Sequence, residues 1–181
     1  MARQPIIGIF EASIGVALSI LPVTGNISNI SLAPSTSFPD QDKQRKFTAA
    51  KFGIVTTGAA WVPLLTSGVN AYLGLPPSEI SQSAKFKGVE STGLTAEELH
   101  SAPAKEVEAR MVAATRRLIR DGDVGVVVLG CAGMAGMDQW VRKACEEELG
   151  EEAGGSVRIV DGVKAAVAMA IAIADGEAPR I

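Results

Sequence analysis

A cysteine closes the most apolar stretch of this chain. Val124 to Leu129 runs into Gly130-Cys131-Ala132-Gly133-Met134, with Gly122 and Asp123 ahead of it and an amphipathic segment behind. A thiol does chemistry only as far as its thiolate is accessible and stabilised. Between a strand's carboxyl end and a helix's first turn, unpaired N–H groups favour the anion. Flanking glycines let a small molecule approach the backbone closely. Cys131 is therefore the candidate catalytic nucleophile or acid/base, and Ala132 and Gly133 offer amides to an anionic substrate. The same pattern also suits a small apolar residue ending a core strand, or a turn that holds phosphate without chemistry.

Other reactive side chains have plainer readings. Cys145 falls in a helical stretch with Trp140, Val141 and Leu149 and reads as core packing. His100, the chain's one histidine, sits in a polar segment without an accompanying Ser, Cys or carboxylate pattern, and reads as a solvated surface residue. Asp161 ends a strand and is expected first to cap the next helix and only second to touch a ligand. Glu11, in a first helical turn, complements the helix dipole whether or not it meets substrate. Trp61 is either core or a wall of the cleft above Thr57. Glu146 to Glu148 with Glu151 and Glu152 reads as a solvated acidic run, and no metal site is assigned.

Composition excludes several classes. With two cysteines and one histidine, neither a disulfide framework nor a Cys/His zinc site can be built. A reducing compartment, the cytoplasm, is expected. A net charge of -3 and a pI near 5.3 give no basic footprint, so nucleic acid is not an expected partner. No membrane span is expected either: Glu11 interrupts the apolar Ile6–Val23 stretch, and Val163–Ala174 carries Lys164 and is short for a bilayer. Hydrophobic residues make up 47% and aromatics only 4%. The core must then rest on Ala, Val, Ile and Leu, as in parallel strands covered by alanine-rich helices.

Periodicity supplies the elements that must position Cys131. Strands are expected over Pro5–Ile9, Phe52–Val55, Lys85–Glu90, Val124–Leu129 and Ser156–Val160. Helices are expected over Glu11–Leu21, Trp61–Leu73, Lys105–Arg120, Met137–Leu149 and Val163–Ala174. Thr95-Ala96-Glu97-Glu98 is a capping box announcing a short helix. Gly25–Gln44 reads as a long surface loop, and Gly150–Gly155 as a short one. This alternation calls for an α/β fold, a parallel sheet in a three-layer α/β/α lobe. Strand carboxyl ends then share one edge, where ligands bind. Thr56-Thr57-Gly58, Ser91-Thr92-Gly93, Gly130–Gly133 and Asp161-Gly162 should converge there. Hydroxyls and free amides around a thiol suit a small carboxylate-bearing substrate.

Together these segments resemble the Asp/Glu/hydantoin racemase superfamily, and within it the hydantoin and allantoin racemase-like branch. The resemblance is carried by Pro5–Ala12, Phe52–Thr57, Val128–Met134 and Val160–Val163, in order and spacing along essentially the whole chain. Gly130-Cys131-Ala132-Gly133-Met134 is its specific segment. It implies two pseudosymmetric lobes around a cofactor-free site, each giving one cysteine on opposite faces of the substrate. One thiolate removes a proton from the stereogenic carbon and the opposing thiol returns one. Cys131 matches the second-lobe cysteine, and Thr56 and Thr57 match the strand-end hydroxyls that contact a substrate carboxylate or ring carbonyl.

Against that pattern the chain is expected to be a family member shortened at its N-terminus, without the first-lobe cysteine. Residues 1–50 would be the remnant of the first lobe, 51–150 the second α/β lobe with its cysteine, and 151–181 a final strand and crossover helix. The expected activity is a cofactor-independent racemase or epimerase of an amino acid or cyclic ureide, impaired if the second acid/base is lacking. A single-cysteine decarboxylase of the same superfamily and a non-catalytic binding protein are the alternatives. Apolar surface on Ile6–Leu21 favours self-association, so a homo-oligomer is expected.

Overall fold

The computed structural model describes residues 8–21, 50–75 and 84–176. Four strands form one parallel sheet: β1 (Lys51–Thr56), β2 (Phe86–Ser91), β3 (Val124–Leu129) and β4 (Arg158–Asp161), in the order β2-β1-β3-β4. The helices are α1 (Ile9–Ile20), α2 (Trp61–Tyr72), α3 (Glu98–Ser101), α4 (Ala104–Ile119), α5 (Asp138–Leu149), α6 (Glu151–Ser156) and α7 (Gly162–Gly176). β3 is buried along its whole length. Its four β-branched valines suit a strand covered on both faces.

Two apolar layers sandwich the sheet. On one face Val107, Met111, Ala114 and Leu118 of α4 and Val141 and Cys145 of α5 meet Val55, Val127 and Leu129. On the other, Ala12, Ile14 and Ala17 of α1, Val69 of α2 and Ala165 of α7 meet Ile54, Val126, Val128 and Val160. The expected three-layer α/β lobe is the observed fold, with β3 central. Helix α1 packs on α7 and over β3 and β4. Its approach is close, because a methyl group on Gly162 would lie 2.6 Å from Ser13 Oγ.

Two local readings change. Residues 5–7 lie outside the described residues, but Ile9 begins α1 rather than ending a strand. The loop expected over Gly25–Gln44 also lies outside them. Gly150–Gly155 is largely the helix α6, although two glycines oppose helix by propensity. Packing overrides that preference: Gly150 turns the chain at φ +87, and a methyl on Gly154 would run into the Cys145 carbonyl of α5. Only glycine lets these two helices sit so close.

The amino ends of three strands are tied by charge. Lys87 Nζ lies 2.7 Å from Asp121 Oδ2 and 2.9 Å from Asp123 Oδ1, and Lys51 Nζ lies 3.1 Å from Asp123 Oδ2. Burial alone would raise Asp123 and lower Lys87. The hydrogen bonds and opposite charges prevail, holding Asp123 below its usual range and Lys87 above. Asp121 is likewise held down by the Lys87 hydrogen bond. The register sets Thr56 beside Ser91, and Leu129 beside both Val55 and Asp161. Every strand therefore delivers its carboxyl end to the opposite rim, as expected.

Candidate active site

At that rim β3 hands over to Gly130, whose N–H donates to Val55 O at 2.8 Å. Cys131 follows with extended backbone, φ -141 and ψ 135. The 3₁₀ turn Ala132–Met134 comes next, closed by Met134 N–H donating to Cys131 O at 3.0 Å. The helix expected over Met137–Leu149 follows from Asp138. The Gly133 to Gly136 stretch takes a tight turn and a glycine reversal, at φ +84 for Gly136, before a full helix can form. The 3₁₀ turn, rather than a helix N-terminus, therefore adjoins the cysteine. The amides of Ala132 and Gly133 find no acceptor among the described residues, which is the normal state of a first turn.

Accessibility separates the two thiols. Cys131 is half-buried and Cys145 fully buried. Burial pushes the Cys145 thiol up to about 12, against a weaker opposite pull from Arg142. That is the inert, packed cysteine expected from its helical neighbours.

The threonines sit where the strand ends predict. Thr56 and Thr57 are buried. A methyl on Gly130 would lie 3.4 Å from Thr56 Cβ, so Thr56 is one residue removed from the thiol. The carbonyl of Thr56 accepts the Thr92 N–H at 2.8 Å, and that of Thr57 accepts the Ser91 hydroxyl. The β2 end is thereby fastened to the β1 end, and the two loops form one wall. Asp161 caps α7: its Oδ1 accepts the Val163 N–H at 2.9 Å and the Lys164 N–H at 3.3 Å. Trp61 is exposed at the start of α2, not in the core. A cavity of about 240 Å³ adjoins the rim between α1 and α2, bounded by Phe10, Ile14, Leu65, Val128, Gly130 and Ala132.

His100 is on the surface, as expected, and its ring approaches Gly133. A methyl group on Gly133 would lie 3.3 Å from His100 Nε2 and 3.7 Å from Cys131 Sγ. The capping box produces this. Thr95 N–H donates to Glu98 Oε2 at 2.8 Å and Glu98 N–H to Thr95 Oγ1 at 3.1 Å, fixing where α3 starts and which way His100 leaves it. Those bonds also hold the Glu98 carboxyl below its usual range. The available signal was positional: the loop after β2 must reach the same rim as every other strand end.

A half-exposed thiol, two open amides, an imidazole and hydroxyl-bearing strand ends can bind a small anion and move a proton at it. Residues 42–170 match the family described as Asp/Glu/Hydantoin racemase. The chain belongs to that family. An uncharacterised protein of Schizosaccharomyces pombe is 32% identical over 165 residues, which are 91% of this chain and 51% of that protein. Protein DCG1 of Saccharomyces cerevisiae is 30% identical over 98 residues, 54% of this chain and 38% of that protein. The chain thus spans about half, or less, of the length of these curated relatives. The crystal structure of allantoin racemase from Pseudomonas fluorescens shares the fold, with a TM-score of 0.60 and 24% identity, over 97% of this chain and 55% of that one. In this member of the Asp/Glu/hydantoin racemase family, Cys131 follows the third strand of a four-stranded parallel sheet. No helix of the described residues is long and apolar enough to cross a membrane.

Proposed function

We propose that this chain serves a cofactor-independent racemase or epimerase acting on an amino acid or cyclic ureide, of hydantoin or allantoin type, with Cys131 as a proton-transfer group. The supporting observation is the half-exposed Cys131 at the strand rim beside the open amides of Ala132 and Gly133, in a chain of a racemase family. A proton on carbon flanked by carbonyls is acidic enough for a positioned thiolate to remove. Charge then develops on the carbonyl oxygen, where backbone N–H groups stabilise it. In this reading Thr56 and Thr57 form the wall that orients the substrate's carboxylate or ring carbonyl.

The test compares this chain with Cys131→Ala on enantiomers of hydantoins, allantoin, aspartate and glutamate, following optical rotation and deuterium uptake in heavy water. Loss of a positioned acid/base is expected to slow proton exchange by about 10²–10⁴-fold. Exchange at the same rate in Cys131→Ala would overturn the assignment. Carbon dioxide release from a prochiral malonate, without racemisation of any of these compounds, would move the reading to a decarboxylase.

A further inference from the structure

The cavity of about 240 Å³ between α1 and α2 is walled almost wholly by carbon: Ile14, Leu65 and Val128 supply hydrocarbon and Phe10 its ring. The polar groups on its wall are committed elsewhere. The Ser13 hydroxyl donates to Ile9 O at 2.6 Å, and the Gly130 N–H to Val55 O at 2.8 Å. Among the described residues that line it, none is charged. A methyl on Gly68 would lie 2.9 Å from Phe10 Cζ, so this glycine lets the ring lean against α2 and complete the wall. A cavity of about 150 Å³ lined by such side chains takes up benzene. This one has room for a benzyl or branched alkyl group.

Its place at the rim gives the cavity a use. Gly130 and Ala132, the residues on either side of Cys131, both border it, and consecutive Cα atoms are only about 3.8 Å apart. Cys131 packs towards the α4–α5 layer, whereas the cavity opens into the α1–α2 layer. The exposed Ala132, with its open N–H, stands between the two. A ligand seated on that amide can turn its reacting carbon to the thiol and a substituent to the cavity. We propose that the cavity holds an apolar substituent of the substrate, so that the chain prefers an alkyl- or aryl-bearing amino acid or cyclic ureide to aspartate, glutamate and allantoin. The inference rests on the reading of Cys131 as the proton-transfer group. A carboxylate or ureido group in the cavity would give up its hydration for walls that return neither hydrogen bond nor counter-charge, which is costly. An apolar group gains by leaving water there, about fourfold in affinity per buried methylene.

The experiment has a binding arm and an activity arm. In the first, Cys131→Ala, which should bind without turnover, is titrated by calorimetry with hydantoin, allantoin, and hydantoins carrying an isobutyl or a benzyl group on the carbon that loses its proton. The two substituted compounds should bind about 10–100-fold more tightly than the others. By NMR, the methyl signals of Ile14, Leu65 and Val128 should shift as they bind. Leu65→Trp, which extends the α2 wall into the cavity, should bring the ratio of benzyl-compound to hydantoin affinity towards one. Leu65→Ala, which enlarges it, should move the preference to a naphthylmethyl group. Equal affinity across the series, or tighter binding that leaves those methyl signals unmoved, would overturn the assignment.

In the second arm, the wild type should racemise the isobutyl and benzyl compounds with a kcat/KM at least about tenfold above that for allantoin, aspartate or glutamate. A preference for any of those three would refute the role of the cavity and leave the racemase reading standing. Binding of the benzyl compound with the expected methyl shifts, but without proton exchange on any compound, would refute the racemase reading and leave the apolar pocket standing.

Discussion

Replacing Gly130 by alanine tests whether β1 and β3 meet at the rim as closely as described. The added methyl would lie 2.5 Å from Ile54 Cγ2, 3.2 Å from Val55 O and 3.4 Å from Thr56 Cβ. Ile54 is core, at 1% exposure, and cannot swing into solvent. Val55 O is fixed as the acceptor of the Gly130 N–H. Relief therefore requires the two strands to part at their carboxyl ends. Overpacking of this kind costs about 1–3 kcal/mol, and weakening one ladder hydrogen bond adds about 1 kcal/mol. At about 2–4 °C per kcal/mol for a chain of this size, Tm should fall by roughly 4–16 °C. The control is Gly155→Ala in α6, whose methyl would meet nothing within 4 Å. That change should stabilise by about 0.5–1 kcal/mol, since alanine is the better helix former. Urea unfolding of both variants, read as the shift in midpoint at constant slope, measures the two signs. Unchanged stability in Gly130→Ala, or a greater loss in Gly155→Ala, would refute the packing argument.

Two further outcomes follow from the charges and thiols. With its thiol at about 12 against about 8.5 for an ordinary cysteine, Cys145 should hold about 10³-fold less thiolate at neutral pH. Peptide mass spectrometry after brief iodoacetamide treatment should find Cys131 labelled and Cys145 untouched; equal labelling, or faster labelling of Cys145, contradicts the site assignment. Because Asp121 and Asp123 are held below the usual carboxylate range, their contribution is complete above the unfolded value, near pH 4, and is lost as pH falls through the lower folded one. Lys87 is raised, so its share is complete below about pH 10 and is lost as pH rises past its folded value. Asp123→Asn should therefore destabilise the chain by about 1 kcal/mol at pH 7, reduced from a buried pair by partial exposure. That gap from wild type should narrow towards pH 2. A gap that stays constant with pH would remove charge as its cause.

The layers were legible in the sequence because the apolar periods were unambiguous. Val124–Leu129 was read to the residue, and the faces of α4 and α5 followed from Val107, Met111, Ala114, Val141 and Cys145. Parallel strands then brought Thr56, Cys131 and Asp161 to one rim without further information. Two features were hidden. The helix α6 depends on Gly154 packing against the α5 backbone, a contact between segments that propensity cannot see. The position of His100 depends on the direction α3 takes out of its capping box, so an exposed residue in a polar stretch carried no local mark of its neighbour.

The lysine–aspartate clamp sits at the end of the sheet that does no chemistry. Lys51, Lys87, Asp121 and Asp123 align the incoming strands, while the proposed catalytic groups occupy the outgoing ends. On the proposed reading of Thr56 and Thr57 as the substrate wall, a lineage can alter them, and with them the molecules recognised, without disturbing the alignment it inherits. Selection on substrate choice and selection on persistence of the fold then act on separate sets of residues. In such a scaffold, new specificities can arise through single substitutions, without compensating changes elsewhere.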